Sequence, residues 1–546
     1  MSAFCFAPLA SFGRGVLLGI GLLALIAPPP ALARSVVLSR ILSTGIIDPA
    51  IGLEPGTYVD SIFTKVLLDS GDVVVRVVLA GDTITSSNDE AYLRYSETNG
   101  YSVLWRQSPG DPVGDLASTI DYIDDDGRIL ILDFVDGLIW LIDVEGIPVL
   151  LAANGDPAPG MPAGAVFSQI FAGEVHFEDG VFTMGGFATG GGLTADNDYG
   201  VWRTLTDTAS LELLVQEGDN NVTPNPADSF QGLALARSAD DLTGGLVGGI
   251  GVGQRGAWRI GSDGSLSLVM QTGEPRPEVG AGVLVEPVRA YPETAPERTV
   301  VEALLSGSVF TGIESAYFLY DGQGNETLVH ACGDGLPGFP MRPAACLASG
   351  TAIFGDDGRT FLAGYVDSPG IGAGIWNIET DGSLTAVAHS NEQPPLSPGL
   401  SFQWNAGLFT YPLQLPLINV NDDVIVSGTR RDSGGNALDD LVVAYLAGEE
   451  PEVLLEPGQH VEISPGVTSP IAFVTFRPLL NDLGVVVGIV STEAGSVVLL
   501  RGEVPEPAFP LMLMIGTFFL LLANRGKRDG RPSSKPSFSL ARLRST

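Results

Sequence analysis

The sequence predicts an all-β fold, a propeller-like array of eight four-stranded repeats filling residues 34–503. Three observations carry that prediction. An apolar strand followed by Gly-Asp/Glu-Pro-x-Pro, or a remnant of it, begins near Val36, Val103, Val149, Leu213, Leu268, Leu328, Ala386 and Val453. Eight copies between residues 36 and 501 give a mean period of roughly 58, a length that suits about four strands per unit and a closed array. The composition agrees: Gly 70, Pro 38, 45% apolar and only 17% charged is too hydrophobic for disorder and too rich in turn residues for helices.

Each copy has the same parts in the same order. The loop after the apolar strand is clearest in Asn154-Gly155-Asp156-Pro157-Ala158-Pro159-Gly160 and Gly273-Glu274-Pro275-Arg276-Pro277. Diverged forms are Ser108-Pro109-Gly110-Asp111-Pro112, Cys332-Gly333-Asp334-Gly335-Leu336-Pro337-Gly338 and Gln393-Pro394-Pro395. Next comes an acidic or Asn-containing turn leading into a strand: Asp69-Ser70-Gly71, Asp124-Asp125-Asp126-Gly127, Glu178-Asp179-Gly180, Asp240-Asp241, Asp356-Asp357-Gly358, Asn421-Asp422-Asp423 and Asn481-Asp482-Leu483-Gly484. Asn and Asp cap their own turns and Gly supplies positive φ, so these are hairpin punctuation. The last part is a Gly-x-Trp-like strand at Trp140, Trp202, Trp258, Tyr317 and Trp376, expected to bury its aromatic between neighbouring sheets. Eight blades is the literal count. Seven results if the first copy, 36–65, pairs with 495–501 to build one blade from both ends. An open β-solenoid or a row of β-sandwiches is the competing architecture.

The two ends are addressed differently. Arg14, the apolar stretch 16–27 and Ala31-Leu32-Ala33 form a secretory signal peptide over residues 1–33, with cleavage between Ala33 and Arg34. Its apolar core of roughly 12 residues is too short to cross a bilayer, which takes about 20. Export then runs through the Sec machinery and signal peptidase. At the other end Val504-Pro505-Glu506-Pro507 precedes an apolar run at 508–523, and Arg525, Lys527 and Arg528 follow. One transmembrane helix with a basic tail (529–546) left in the cytoplasm fits the positive-inside rule. Polar Pro-Glu-Pro, helix and basic cluster in this order resemble the PEP-CTERM sorting domain of Gram-negative bacteria, here 504–528. The resemblance implies recognition by the membrane protease-transpeptidase exosortase and association with exopolysaccharide. It also implies inner-membrane anchoring, followed by display on the cell envelope or release. The repeats themselves, best at Asn481-Asp482-Leu483-Gly484 with Val485-Val486-Val487, are similar to the tandem NxxGxxAF repeats of secreted bacterial proteins.

From residue 34 through Pro507 stand 20 basic and 63 acidic residues, a net charge near −43, with Lys65 the only lysine. Such a field repels nucleic acid and anionic lipid and keeps an exported protein dispersed. Cys332 and Cys346, 14 residues apart, are expected to staple one loop with a disulfide of about 3 kcal/mol, two free thiols being the alternative. His176, His330, His389 and His460 fall in different repeats with no metal-ligand spacing, and no nucleophile elbow, Walker loop or dinucleotide fingerprint stands in a fitting context. No catalytic, cofactor or metal residue is assigned. The nearest to a cation site is Asp124, Asp125 and Asp126 beside Asp121, whose oxygens suit Ca²⁺ but whose repeat position marks a hairpin turn. The reading is a non-enzymatic envelope or extracellular-matrix protein that binds polysaccharide or protein partners. A carbohydrate-active enzyme with its site at the propeller axis and a structural spacer are the alternatives.

Overall fold

The computed structural model describes residues 36–504 apart from 37, 48–50, 109–112, 114–118, 125, 134, 172–176, 179–180, 206–209, 220–222, 224–228, 239–243, 251–253, 293–297, 308–313, 322, 340–345, 355–358, 367–371 and 405–417. Ala31, Ala33, Arg34, Pro505, Glu506, Pro507, the 508–523 run, Arg525, Lys527, Arg528, His176 and Asp125 therefore lie outside the described residues.

Val36–Val504 is one compact unit, an eight-bladed β-propeller of antiparallel sheets. Strands follow chain order across each of the first seven blades. Blade one runs from Tyr58–Leu67 to Gly100–Arg106, blade two from Thr119–Ile123 to Pro148–Ala153, and blade three from Ala165–Phe171 to Ser210–Gln216. Blade four runs from Phe230–Ser238 to Leu266–Gln271, blade five from Leu284–Pro292 to Glu326–Ala331, and blade six from Leu347–Phe354 to Leu384–His389. Blade seven takes in Ser401–Trp404, Val424–Arg431, Ala437–Tyr445 and Glu452–Leu455.

Blade eight is built from both ends of the unit. Val467–Leu480, Val485–Thr492 and Val497–Glu503 receive Ser39–Ser43 as outer strand, with Ser39 opposite Arg501 and Ser43 opposite Val498. The pairing of 36–65 with 495–501 thus occurs in its first strand, yet the count stays at eight. Tyr58–Leu67 opens a blade of its own instead of finishing the closing one. Each apolar strand that precedes a Pro loop is an outer strand, which is why eight copies make eight blades.

Register explains the apolar run in every outer strand. Where it pairs with the third strand, one residue is bulged out: Leu104, Leu151, Leu214, Val269, Val329, Val387, Leu454 and, in the N-terminal strand, Ile41. All eight are aliphatic. Each belongs to a different one of the eight apolar clusters, and each cluster fills one seam between neighbouring blades. A bulge kinks the strand and turns its extra side chain, here into the seam.

The third strand supplies the seam's other large side chain. Trp202, Trp258 and Trp376 are fully buried, and each lies two residues after a glycine. A Cβ at Gly200, Gly256 or Gly374 would stand 2.6–2.7 Å from indole carbons, so glycine clears the space into which the ring leans. The indole N–H groups of Trp202 and Trp376 donate to the carbonyls of Pro159 (2.8 Å) and Pro337 (2.9 Å), tying the aromatic strand to the Pro loop. In blade five the bulge register places Phe318, not Tyr317, at the tryptophan position. Tyr317 turns to the other face and joins the seam cluster of Trp376.

Glycine loops after blades two, three, four and seven lock each of them to the next. Gly155, Gly218, Gly273 and Gly458 adopt φ of 87–93° and donate their N–H to the inner strand of the following blade, at Phe167, Phe230, Val285 and Ile471. The same inner residues donate back to the carbonyls of Asp156, Asp219, Glu274 and Gln459. Between blades six and seven the glycine is gone, and one side chain does both jobs. Gln393 Oε1 accepts from Phe402 N–H (2.7 Å), and its Nε2 donates to Phe402 C=O (3.1 Å). Between blades five and six Cys332 and Cys346 form the expected disulfide.

Gln393→Ala strands the amide and carbonyl of Phe402 together. We expect a loss of about 1–3 kcal/mol in chemical denaturation. Gln393→Glu keeps the acceptor and is expected to lose less; equal stability of Gln393→Ala and wild type would remove the clamp from this account.

Candidate functional site in the seam between blades six and seven

The same seam opens into a cleft of about 280 Å³ on the face that carries the loops between blades. Blade six contributes Tyr365, Gly372, Ala373, Ser390, Asn391 and Gln393; blade seven contributes Ser401, Phe402, Gln403, Trp404 and Arg431. Tyr365, Phe402 and Trp404 are buried and make an apolar floor. Trp404 Nε1 donates to Tyr445 Oη (3.0 Å), and Tyr445 Oη donates to the Glu392 carbonyl (3.0 Å). Burial pushes the Tyr445 phenol well above its ordinary value, which keeps it a neutral donor. With Gln393 clamping Phe402, the floor is held from both sides.

The rim is polar. Ser401 lies directly across the strands from Arg431, and Gln403 across from Thr429, so Ser401, Gln403 and Arg431 share one face of blade seven, while Phe402, Trp404 and Arg430 belong to the other. Arg430, on the opposite face, takes the nearby carboxylates: Nε donates to Asp439 Oδ1 (2.8 Å), Nη2 pairs with Asp439 Oδ2 and Nη1 donates to Glu456 Oε2 (3.0 Å). Arg431 has only a backbone contact, Nη1 to the Gly435 carbonyl (2.7 Å), and its buried Nε meets no partner among the described residues. Asp432 beside it is spent on its own turn, accepting from Gly434 N, Asn436 N and Asn436 Nδ2.

Sequence reasoning passed over all of these. Two signals were present. Arg430-Arg431 is the only adjacent basic pair between residues 34 and 503, and Trp404 falls outside the aromatic phase of the repeat.

The carboxylates singled out as an oxygen cluster are disposed differently. Asp124 Oδ1 accepts from Arg128 N–H (2.8 Å) and its Oδ2 from Arg128 Nε (2.6 Å), while Asp126 Oδ2 accepts from Arg128 Nη2 (2.8 Å). A guanidinium therefore sits between the two carboxylates. Asp121 is turned to Arg76, 3.3 Å away across the seam. Among the described residues no three His, Cys, Asp or Glu side chains gather as a metal site.

His330, on the outer strand of blade five, is 1% exposed and its Nε2 has no partner among the described residues. Burial pulls its imidazole down to about 4, with the Asp334 charge opposing. Below about 6.5 the unfolded chain takes up a proton that the native state refuses, so stability falls as pH drops. The loss is complete near pH 4 and amounts to about 3 kcal/mol. His330→Leu is expected to remove that part of the slope between pH 7 and 4, read as the difference between the two proteins' unfolding free energies.

An eight-bladed propeller with a polar seam cleft is the class that this geometry defines. The chain belongs to the Family of unknown function (DUF7453), whose model matches residues 34–235 and 244–498. No curated protein matches. Among solved structures, the Dos1 propeller is 8% identical, with 83% of this chain and 96% of that one covered and a TM-score of 0.35. The acylaminoacyl peptidase of Pyrococcus horikoshii is 12% identical (85% of this chain, 54% of that one, TM-score 0.32), so this chain spans about half its length. The virginiamycin B lyase of Staphylococcus aureus is 10% identical (86% and 99%, TM-score 0.26).

Proposed function

We propose that the protein is an exported, non-enzymatic binding module of the Gram-negative cell envelope or extracellular matrix, and that its seam cleft holds polysaccharide. The observation that carries the reading is the lining of the cleft. A fixed aromatic floor with amides, hydroxyls and one guanidinium at the rim is the donor and acceptor set that sugar rings and hydroxyls call for. Its parts are held before any ligand arrives, by Gln393 below Phe402 and Tyr445 below Trp404, which lowers the ordering cost of binding. The acidic surface suits an exported particle that must stay dispersed among other polymers.

The ends of the chain support the address. The signal segment supplies Sec export and signal peptidase, and Val504-Pro505-Glu506-Pro507 with its apolar run and basic cluster supplies inner-membrane anchoring and exosortase processing. Val504, the first residue of that motif, is buried and donates its N–H to the Gly484 carbonyl (2.7 Å). Cutting on its C-terminal side leaves blade eight whole.

Two measurements test this. Intact-mass analysis of protein from the producing cell is expected to give Arg34 at the N-terminus and a C-terminus short of Thr546. A species still ending at Thr546 would remove exosortase processing. An oligosaccharide array is expected to show binding that Trp404→Ala weakens by at least about tenfold; hydrolysis of a bound glycan would instead make the protein a carbohydrate-active enzyme.

A further inference from the structure

Arg431 narrows the ligand further. Between residues 34 and 507 there are 63 acidic residues for 20 basic ones, and arginines elsewhere find their carboxylates readily. Arg76 pairs with Glu90 and Asp121, Arg94 with Asp72, Arg276 with Glu274 and Glu326, and Arg501 with Glu97 and Glu503. Arg431 pairs with no carboxylate among the described residues, although it stands beside Arg430, which holds two. Asp432, its acidic neighbour in sequence, accepts three hydrogen bonds within its own turn. Its buried Nε has no hydrogen-bond partner among the described residues, a state the Nε atoms of Arg276 and Arg501 share; what sets Arg431 apart is that no carboxylate among those residues balances its charge.

We propose that the cleft recognises an acidic glycan, in which the carboxylate of a uronic acid residue docks on Arg431 while Ser401 and Gln403 take ring hydroxyls. This rests on the polysaccharide reading above. A planar carboxylate matches the Nε/Nη edge of a guanidinium with two parallel N–H···O bonds, and the match is lost with the point charge of lysine. The overall negative field does not forbid it. At 0.15 M salt, charges farther than about 8 Å are largely screened, so the local guanidinium governs contact. A volume of about 280 Å³ lies near the roughly 300 Å³ lower end of small-molecule sites, which suits one sugar unit of a chain whose remainder runs outside.

The test is calorimetric titration of the full chain, in mild detergent at 0.15 M salt, with trigalacturonate and with the neutral trisaccharide of galactose. Trigalacturonate is expected to bind at least tenfold more tightly. Arg431→Gln is expected to abolish the difference by weakening trigalacturonate alone, and Arg431→Lys to recover only part of it. Circular dichroism and the unfolding midpoint confirm that the variants fold, and Gln403→Ala, which leaves the charge in place, is expected to weaken both sugars together. Equal binding of the two sugars by the wild type would overturn the acidic-glycan assignment and leave the polysaccharide reading standing. Binding of neither would overturn both. An acidic hexapeptide that binds as tightly as trigalacturonate and is lost in Arg431→Gln would replace the glycan by a peptide carboxylate and overturn the proposal.

Discussion

Ser39–Ser43 pairs with Val497–Glu503 across a separation of 462 residues, measured at the bond from Ser39 Oγ to the Arg501 carbonyl. Thr44 extends the same ladder, donating its N–H to the Val497 carbonyl and accepting from the Val497 N–H at Oγ1. Without this pairing the third strand of blade eight would present a row of open donors and acceptors, and the last seam would lose Ile41 and Leu42 from its core. Six of the other seams are made by neighbours in sequence alone, and the one between blades seven and eight adds Val36 and Leu38 from the N-terminal end. This one alone turns a row of blades into a ring, and every inter-blade clamp depends on the ring holding its curvature.

Some of the charge in this protein is structural. Carboxylates at turns accept backbone amides: Asp143 from Glu145 and Ile147, Asp321 from Gln323 and Asn325, Asp432 from Gly434 and Asn436. Others bridge seams to arginine, as Asp121 does to Arg76. Glu302 is an extreme case. It is buried, and burial raises its carboxyl above the ordinary range, against the pull of Arg289 and of the tyrosine hydroxyls beside it. Part of the acidic excess is therefore engaged within the fold. Against that background an arginine without a carboxylate acquires meaning.

The architecture was legible because its punctuation is conformationally demanding. Gly155, Gly218 and Gly273 need positive φ, and Asn481 accepts from Val485 N–H to close its turn, so such residues recur wherever the chain reverses. Bulges were invisible, because an extra Leu or Val in an apolar run changes neither pattern nor composition. For the same reason Tyr317 and Phe318, adjacent and both aromatic, could not be assigned to faces until the register was known. Gln393 hid a clamp behind a degenerate motif, since an amide side chain reproduces backbone geometry without resembling it in sequence. The cleft was the least legible part. Its lining is gathered from several strands of two neighbouring blades, and its key feature is a pairing that Arg431 does not make.

Ring closure also imposes an order of events. Ser39–Ser43 is the first strand to leave the ribosome or to emerge from any pore threaded from the N-terminus, and the strand it completes is the last. For the whole interval it carries exposed ladder groups and an apolar Ile41-Leu42 pair with no native place to bury them. Contacts this distant in sequence are the slowest to form, and an unpaired edge is the part of a nascent chain most open to wrong partners. The short length of this strand, five residues, limits that exposure. The chain thus waits with its clasp undone until its final blade arrives.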